Sequence, residues 1–94
     1  MKKILIIGYG DIATRFCNIL SHDLYKIYGI SRNNTHNIKN FISWDWLSDA
    51  PPKLEFNEYD CIIFIPKPNT FDKEGYIDGF INSSKNVFNF CKEI

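Results

Sequence analysis

No apolar run in this sequence approaches the length of a membrane span. The start, Met1-Lys2-Lys3, is basic, but only four apolar residues follow before Gly8, too few for a secretory signal. Charge of one sign is missing too: eleven basic residues face eleven acidic ones. That balance excludes a broad basic face for nucleic acid. Cys17, Cys61 and Cys91 are widely spaced and form no Cys-x-x-Cys, and His22 and His36 stand near none of them. No metal site is expected from that spacing. The thiols read as reduced, small apolar side chains, and neither histidine has a nameable partner. There is no internal repeat and no linker. The chain is read as cytoplasmic, with no membrane and no nucleic-acid partner.

What is present is a globular composition. Apolar residues make up 45% of the 94 residues and aromatic ones 16%. That length allows one small domain with a thin stability margin. Ile4 to Ile7 is a continuous apolar run, as a strand covered on both faces requires. Gly8-Tyr9-Gly10-Asp11-Ile12-Ala13 follows at once, and then a helical pattern from about Asp11 to Ser21. Ile12, Phe16, Ile19 and Leu20 mark its stripe, widened by Ala13 and Cys17. A second strand is expected at Tyr25 to Ser31, a loop at Asn33 to Asn37, and a short third strand at Phe41 to Trp44. Asp45 to Ser48 reads as a single helical turn before the break at Asp49-Ala50-Pro51-Pro52. Asp60 to Ile65 is a clear strand that Pro66 ends, and Pro66 to Thr70 is loop. A last helix spans roughly Asp72 to Lys92, with a stripe of Ile77, Phe80, Ile81, Val87, Phe88, Cys91 and Ile94. Gly75 and Gly79 weaken its first turns.

Strand, glycine turn and helix in that order form the context of a dinucleotide-binding turn. Gly8 allows the tight turn out of the strand. Gly10, without a side chain, lets a diphosphate approach the backbone. Ala13 lets helix and strand lie close, and the helix N-terminus offers unpaired N–H groups. The competing reading is a tight turn that binds nothing. At the end of the second strand stands Ser31-Arg32, where NAD enzymes tend to carry a carboxylate. An arginine pairs with the 2′-phosphate of NADP. NADP is therefore the preferred cofactor, with NAD tolerated; the competing reading of Arg32 is a solvated strand end. The fold expected is α/β: a Rossmann-like three-layer arrangement whose parallel sheet has strand order 3-2-1-4, half of a doubly wound fold plus one strand.

The chain resembles the atypical, extended short-chain dehydrogenase/reductase family, and within it proteins of the NAD(P)-dependent epimerase/dehydratase-like kind. The residues that carry the resemblance are Ile6-Ile7-Gly8-Tyr9-Gly10-Asp11-Ile12-Ala13-Thr14-Arg15, Tyr28-Gly29-Ile30-Ser31-Arg32, Trp44-Asp45-Trp46, Tyr59-Asp60-Cys61-Ile62-Ile63-Phe64, and the last helix with Tyr76, Gly79 and Ser84-Lys85-Asn86-Val87. The resemblance implies that Gly8, Tyr9, Gly10, Asp11, Ile12 and Ala13 wrap the pyrophosphate. It implies that Ser31 and Arg32 hold the adenosine ribose and its 2′-phosphate, and that Asp45 and Trp46 lie against adenine. Pro66 and Lys67 match the strand end near the nicotinamide ribose. Asp45 reads equally as a helix N-cap, Trp46 as packing, and Lys67 as solvated.

One family feature is missing. The tyrosines are Tyr9, Tyr25, Tyr28, Tyr59 and Tyr76, and four residues after them stand Ala13, Gly29, Arg32, Ile63 and Phe80. No Tyr-x-x-x-Lys occurs, so no catalytic residue is named. The expectation is the N-terminal, NADP-binding part (residues 1–94) of a longer oxidoreductase or epimerase fold. Its partners would be the dinucleotide and either a second copy or a missing C-terminal portion. The alternatives are a non-catalytic NADP-sensing or protein-interaction module, or a truncated remnant.

Overall fold

The first strand is the centre of everything else. In the computed structural model, which describes residues 1–48, 50–54, 58–68 and 70–92, it runs Lys2–Ile7 (β1). On one side it pairs in parallel with Tyr25–Ser31 (β2), Lys2 opposite Tyr25 through Ile7 opposite Ile30. On the other it pairs in parallel with Cys61–Phe64 (β4), Ile4 opposite Cys61 through Ile7 opposite Phe64. Phe41–Ser43 (β3) adds to the far side of β2. The sheet order is β3-β2-β1-β4, the 3-2-1-4 order expected of an α/β, Rossmann-like fold.

The unbroken apolar run of β1 has a physical cause: both faces of the sheet are covered. Leu5 and Ile7 point to a layer with Tyr28, Ile30, Trp44, Val87 and Phe90. Ile4 and Ile6 point the other way, to Ala13 and Cys17. Leu5, Ile6 and Ile7 are fully buried, and each such side chain contributes roughly 1.5–3 kcal/mol. The Lys3 N–H donates to Asp60 Oδ2 at 2.7 Å while the Asp60 N–H donates to the Lys3 carbonyl at 2.9 Å. That exchange fixes the start of β4 against β1.

The helices depart from the expected detail. The first, Asp11–Asn18 (α1), is shorter than Asp11 to Ser21, and its last turn tightens as Ile19 and Leu20 donate back to Phe16 and Cys17. Its buried residues are Ala13 and Cys17, whereas Ile12 is 64% exposed and Ile19 81%. Small side chains let α1 lie close to β1, so they, not the bulky pair, define the inward face. The last helical run begins on the Asp72 cap with Lys73–Tyr76 (α2), passes through a π-helical turn at Ile77–Asn82, and continues as Ser83–Cys91 (α3). Its extent matches the expected Asp72 to Lys92; the π turn is new. Gly75, Gly79, Ser83, Val87 and Phe90 are buried, while Ile77, Phe80, Ile81 and Phe88 face outward. The cause is again close packing: α2 approaches the preceding loop so nearly that a Cβ at Gly75 would collide with Thr70.

β3 ends one residue early, at Ser43, although the Trp44 N–H still donates to the Ser31 carbonyl at 2.9 Å. The single turn expected after it is present: the Ser48 N–H donates to the Asp45 carbonyl at 3.2 Å. β4 is shorter than the strand expected over Asp60 to Ile65, but the Ile65 N–H still reaches the Ile7 carbonyl at 2.9 Å. Asp49, Asn69 and Ile94, read above as break, loop and stripe residues, lie outside the described residues.

Candidate functional site

A cleft of about 350 Å³ opens at the carboxyl ends of β1 and β4. This is where the chain leaves the sheet in opposite directions, toward β2 from one strand and toward the last helix from the other. Open α/β sheets bind ligands at such a point.

The two glycines of the turn have different jobs. Gly8 has φ +94°, and a Cβ there would stand 2.5 Å from the Ile65 carbonyl oxygen. It serves the fold: only a residue without a side chain can make this turn so close to β4. The Gly8 and Tyr9 N–H groups both donate to the Ile30 carbonyl, at 2.8 and 3.2 Å, which ties the turn to β2. Gly10 is extended, at φ −138°, and a Cβ there would meet no atom within 4 Å. No contact demands glycine at position 10, and its bare main chain faces the cleft. Gly10 also caps α1 without any side-chain hydrogen bond to the helix end, so the first-turn N–H groups remain available to a ligand.

Around that corner the cleft gathers Gly8, Tyr9, Gly10, Asp11 and Ile12 from the turn, Ser31 and Arg32 from the end of β2, Asp45 and Trp46 after β3, and Pro66 and Lys67 after β4. Eleven of the twelve residues singled out from the sequence therefore line one cavity. Ala13 does not; it is fully buried beneath α1 among Ile4, Ile6 and Cys17. The cleft also takes in Leu47, Ile65, Pro68, Gly79 and Ser83, none of them expected as a site residue. Gly75, Gly79 and Ser83 recur every four residues, a spacing of small side chains that marks the inward face. Ile65 follows from register, one position beyond the Ile7–Phe64 pair.

Individual side chains divide between the cleft and the scaffold. The Tyr9 ring packs with the cluster beneath α1. Burial, and then a hydrogen bond with Cys17, pushes its phenol above the ordinary tyrosine range, against a smaller lowering by Thr14. Tyr9 is thus a neutral phenol, not a base. Arg32 is exposed at the rim, its carbonyl held by the Ser43 hydroxyl at 2.9 Å. The Asp45 carboxylate accepts from the Leu47 N–H at 3.1 Å, the capping geometry named as its plain reading. Trp46 packs edge-on to Trp44 and Phe64, at 6.0 Å each, and its carbonyl accepts from Asn86 Nδ2 at 2.6 Å. It is a packing residue that also lines the cleft. Lys67 is exposed.

His36, given no chemistry from sequence, sits 3.4 Å from Asp11, which lines this cleft. Among the described residues no cluster of histidine, cysteine and carboxylate side chains could hold a metal ion. No described helix is long and apolar enough to cross a membrane.

The fold and site define a Rossmann-like α/β unit with a bare-backbone corner at its switch point. Compared with known proteins, the chain matches no family model, no curated protein and no solved structure.

Proposed function

We propose that this chain binds a nicotinamide dinucleotide, NADP in preference to NAD, as the cofactor-binding unit of a short-chain dehydrogenase-like oxidoreductase or epimerase. The observation that carries the reading is Gly10: a glycine that the fold does not need, facing an open cleft at the N-terminus of α1. A diphosphate placed there meets the first-turn N–H groups and the positive end of the helix. Arg32, at the end of β2, supplies the cation for the 2′-phosphate. Asp45, Trp46, Pro66 and Lys67 bound the rest of the cavity, where adenine and the nicotinamide ribose would lie. NADP would supply hydride transfer; the chain's own residues bind and orient it. No tyrosine is followed four positions on by lysine, so the proposal covers cofactor binding and assigns no proton transfer.

The test is titration of the purified chain with NADPH and NADH, followed by nicotinamide fluorescence. Saturable binding of NADPH, tighter than NADH, is expected. Absence of binding by both at millimolar concentration ends the reading.

A second reading, an NADP-sensing or protein-interaction module, is favoured by the outer face of the last helical run. Ile81 is 53% exposed and Phe88 60% there, and Ile62 on β4 is also open. A second copy, or further chain of the same protein, would cover such a surface. The thiols of Cys17, Cys61 and Cys91 are free, which suits a reducing, cytoplasmic setting.

A further inference from the structure

We propose that His36 sets the charge of Asp11 at the mouth of the cleft, so that dinucleotide binding is linked to uptake of a proton by His36. This rests on the dinucleotide reading above. Asp11 opens α1 beside Gly10, where a carboxylate suits the helix end but repels an incoming diphosphate. His36 Nε2 lies 3.4 Å from Asp11 Oδ1. Neutral imidazole leaves the carboxylate charge standing. Imidazolium brings the pair to zero net charge and so removes the repulsion.

The position of His36 is built, not incidental. Its loop is closed by Asn34, whose side chain accepts from the Ile38 N–H at 2.9 Å and donates to the Ile38 carbonyl at 3.1 Å. Asn37, next to it, takes φ 51°, a left-handed conformation that asparagine tolerates better than most residues. Ile38 fills the notch beside Gly29, and the Gly29 N–H donates to the Asn40 carbonyl at 2.9 Å. The imidazole then packs edge-on to Tyr9, ring centroids 6.1 Å apart. The ionisable groups in contact with it are Asp11 of α1 and Tyr9 of the glycine turn, whose phenol stays neutral. Imidazole is the side-chain type that carries a proton switch in the physiological range.

Asp11 is 85% exposed and His36 27%, so solvent screens the pair and the expected effect is modest, about two- to fivefold in affinity. The probe is adenosine diphosphate ribose, whose diphosphate keeps its charge across the range and which lacks the titrating 2′-phosphate. Calorimetry on the intact chain at pH 8 and pH 6, in buffers of different ionisation enthalpy, reads affinity and proton uptake together. Wild type should bind two- to fivefold more tightly at pH 6 and take up a fraction of a proton near pH 7. His36→Gln should lose both effects, and Asp11→Asn should bind at pH 8 as tightly as wild type at pH 6. Both variants should keep the wild-type far-UV spectrum. An unchanged pH profile in His36→Gln, or binding without proton uptake, overturns the linkage and leaves the dinucleotide reading intact. Failure of both adenosine diphosphate ribose and NADPH to bind wild type removes the reading and the linkage together.

Discussion

The two walls of the cleft are built to different standards. One wall rises from β1 and β2, paired over six positions, with Leu5, Ile6, Ile7 and Ile30 fully buried. It carries the glycine turn, Ser31 and Arg32. The other rises from β4 and the last helical run. There β4 is paired with β1 over four positions, lies at the edge of the sheet, and leaves Cys61 and Ile62 exposed. Its contribution to the cleft is Ile65 to Pro68 and the small residues Gly79 and Ser83. The contrast teaches where accuracy is needed. On the proposed reading, the main chain that would meet a diphosphate at hydrogen-bonding distance sits on the buried centre, and the edge supplies shape and enclosure.

The largest test of that contrast is a pair of core truncations. Leu5→Ala should cost about 3 kcal/mol by leaving a cavity in a fully packed layer, whereas Ile62→Ala should cost under about 0.5 kcal/mol; urea unfolding followed by circular dichroism reads both. Equal losses would mean that the edge strand is as firmly covered as the centre. Next comes Gly8→Ala, which forces a Cβ against Ile65 at a positive φ. It should lose roughly 2–3 kcal/mol of stability.

Gly10→Ala sharpens the comparison within the turn itself. Its methyl group meets open space, so stability should change by less than about 0.5 kcal/mol. NADPH affinity should nevertheless fall tenfold or more, because the methyl takes the place of the diphosphate. A variant that binds normally would remove the ligand role of the bare backbone. Arg32→Asp should weaken NADPH by roughly tenfold or more, the worth of a charge-assisted hydrogen bond, and leave NADH nearly unchanged. Equal losses for the two cofactors would refute the 2′-phosphate role.

The smallest effect is expected on the edge wall. The Asp72 carboxylate accepts from the Gly75 N–H at 2.7 Å and from the Thr70 hydroxyl at 2.7 Å, and these bonds hold it below its ordinary range. The folded chain therefore binds that proton less tightly than the unfolded chain. The cap's contribution is complete above about pH 4 and fades as pH falls below it. Asp72→Asn should remove that part of the acid sensitivity; thermal melts at pH 3 and pH 6 provide the measurement.

Much of this was legible in the sequence, and the rest fails for identifiable reasons. The order of strands follows from Ile4 to Ile7 being apolar without a break and from the turn that succeeds it. The cleft residues follow because strand ends and the first helical turn fall at fixed places in such a fold. What misled was side-chain size. Ala13 and Cys17 read only as widening the α1 stripe, yet they are its buried residues; on the last helix Gly79 and Ser83 are buried, and hydrophobicity alone gives them little weight. After the π turn at Ile77–Asn82 the buried residues are Ser83, Val87 and Phe90, at ordinary helical spacing, while Phe88 is exposed. The pairing of His36 with Asp11 depends on the path of a loop, which no periodicity encodes.

The reciprocal bonds between Lys3 and Asp60 join positions 57 residues apart. Every contact that covers β1 on its β4 side therefore requires most of the chain to have been gathered first. Parallel pairing offers no hairpin from which to zip, and closing long loops delays the reward of burial. Until that closure, the greasiest segment of the molecule, Ile4 to Ile7, stands half-clothed and sticky toward its neighbours. Dilute conditions, or anything that shelters this segment early, should govern how much of the protein is recovered on refolding.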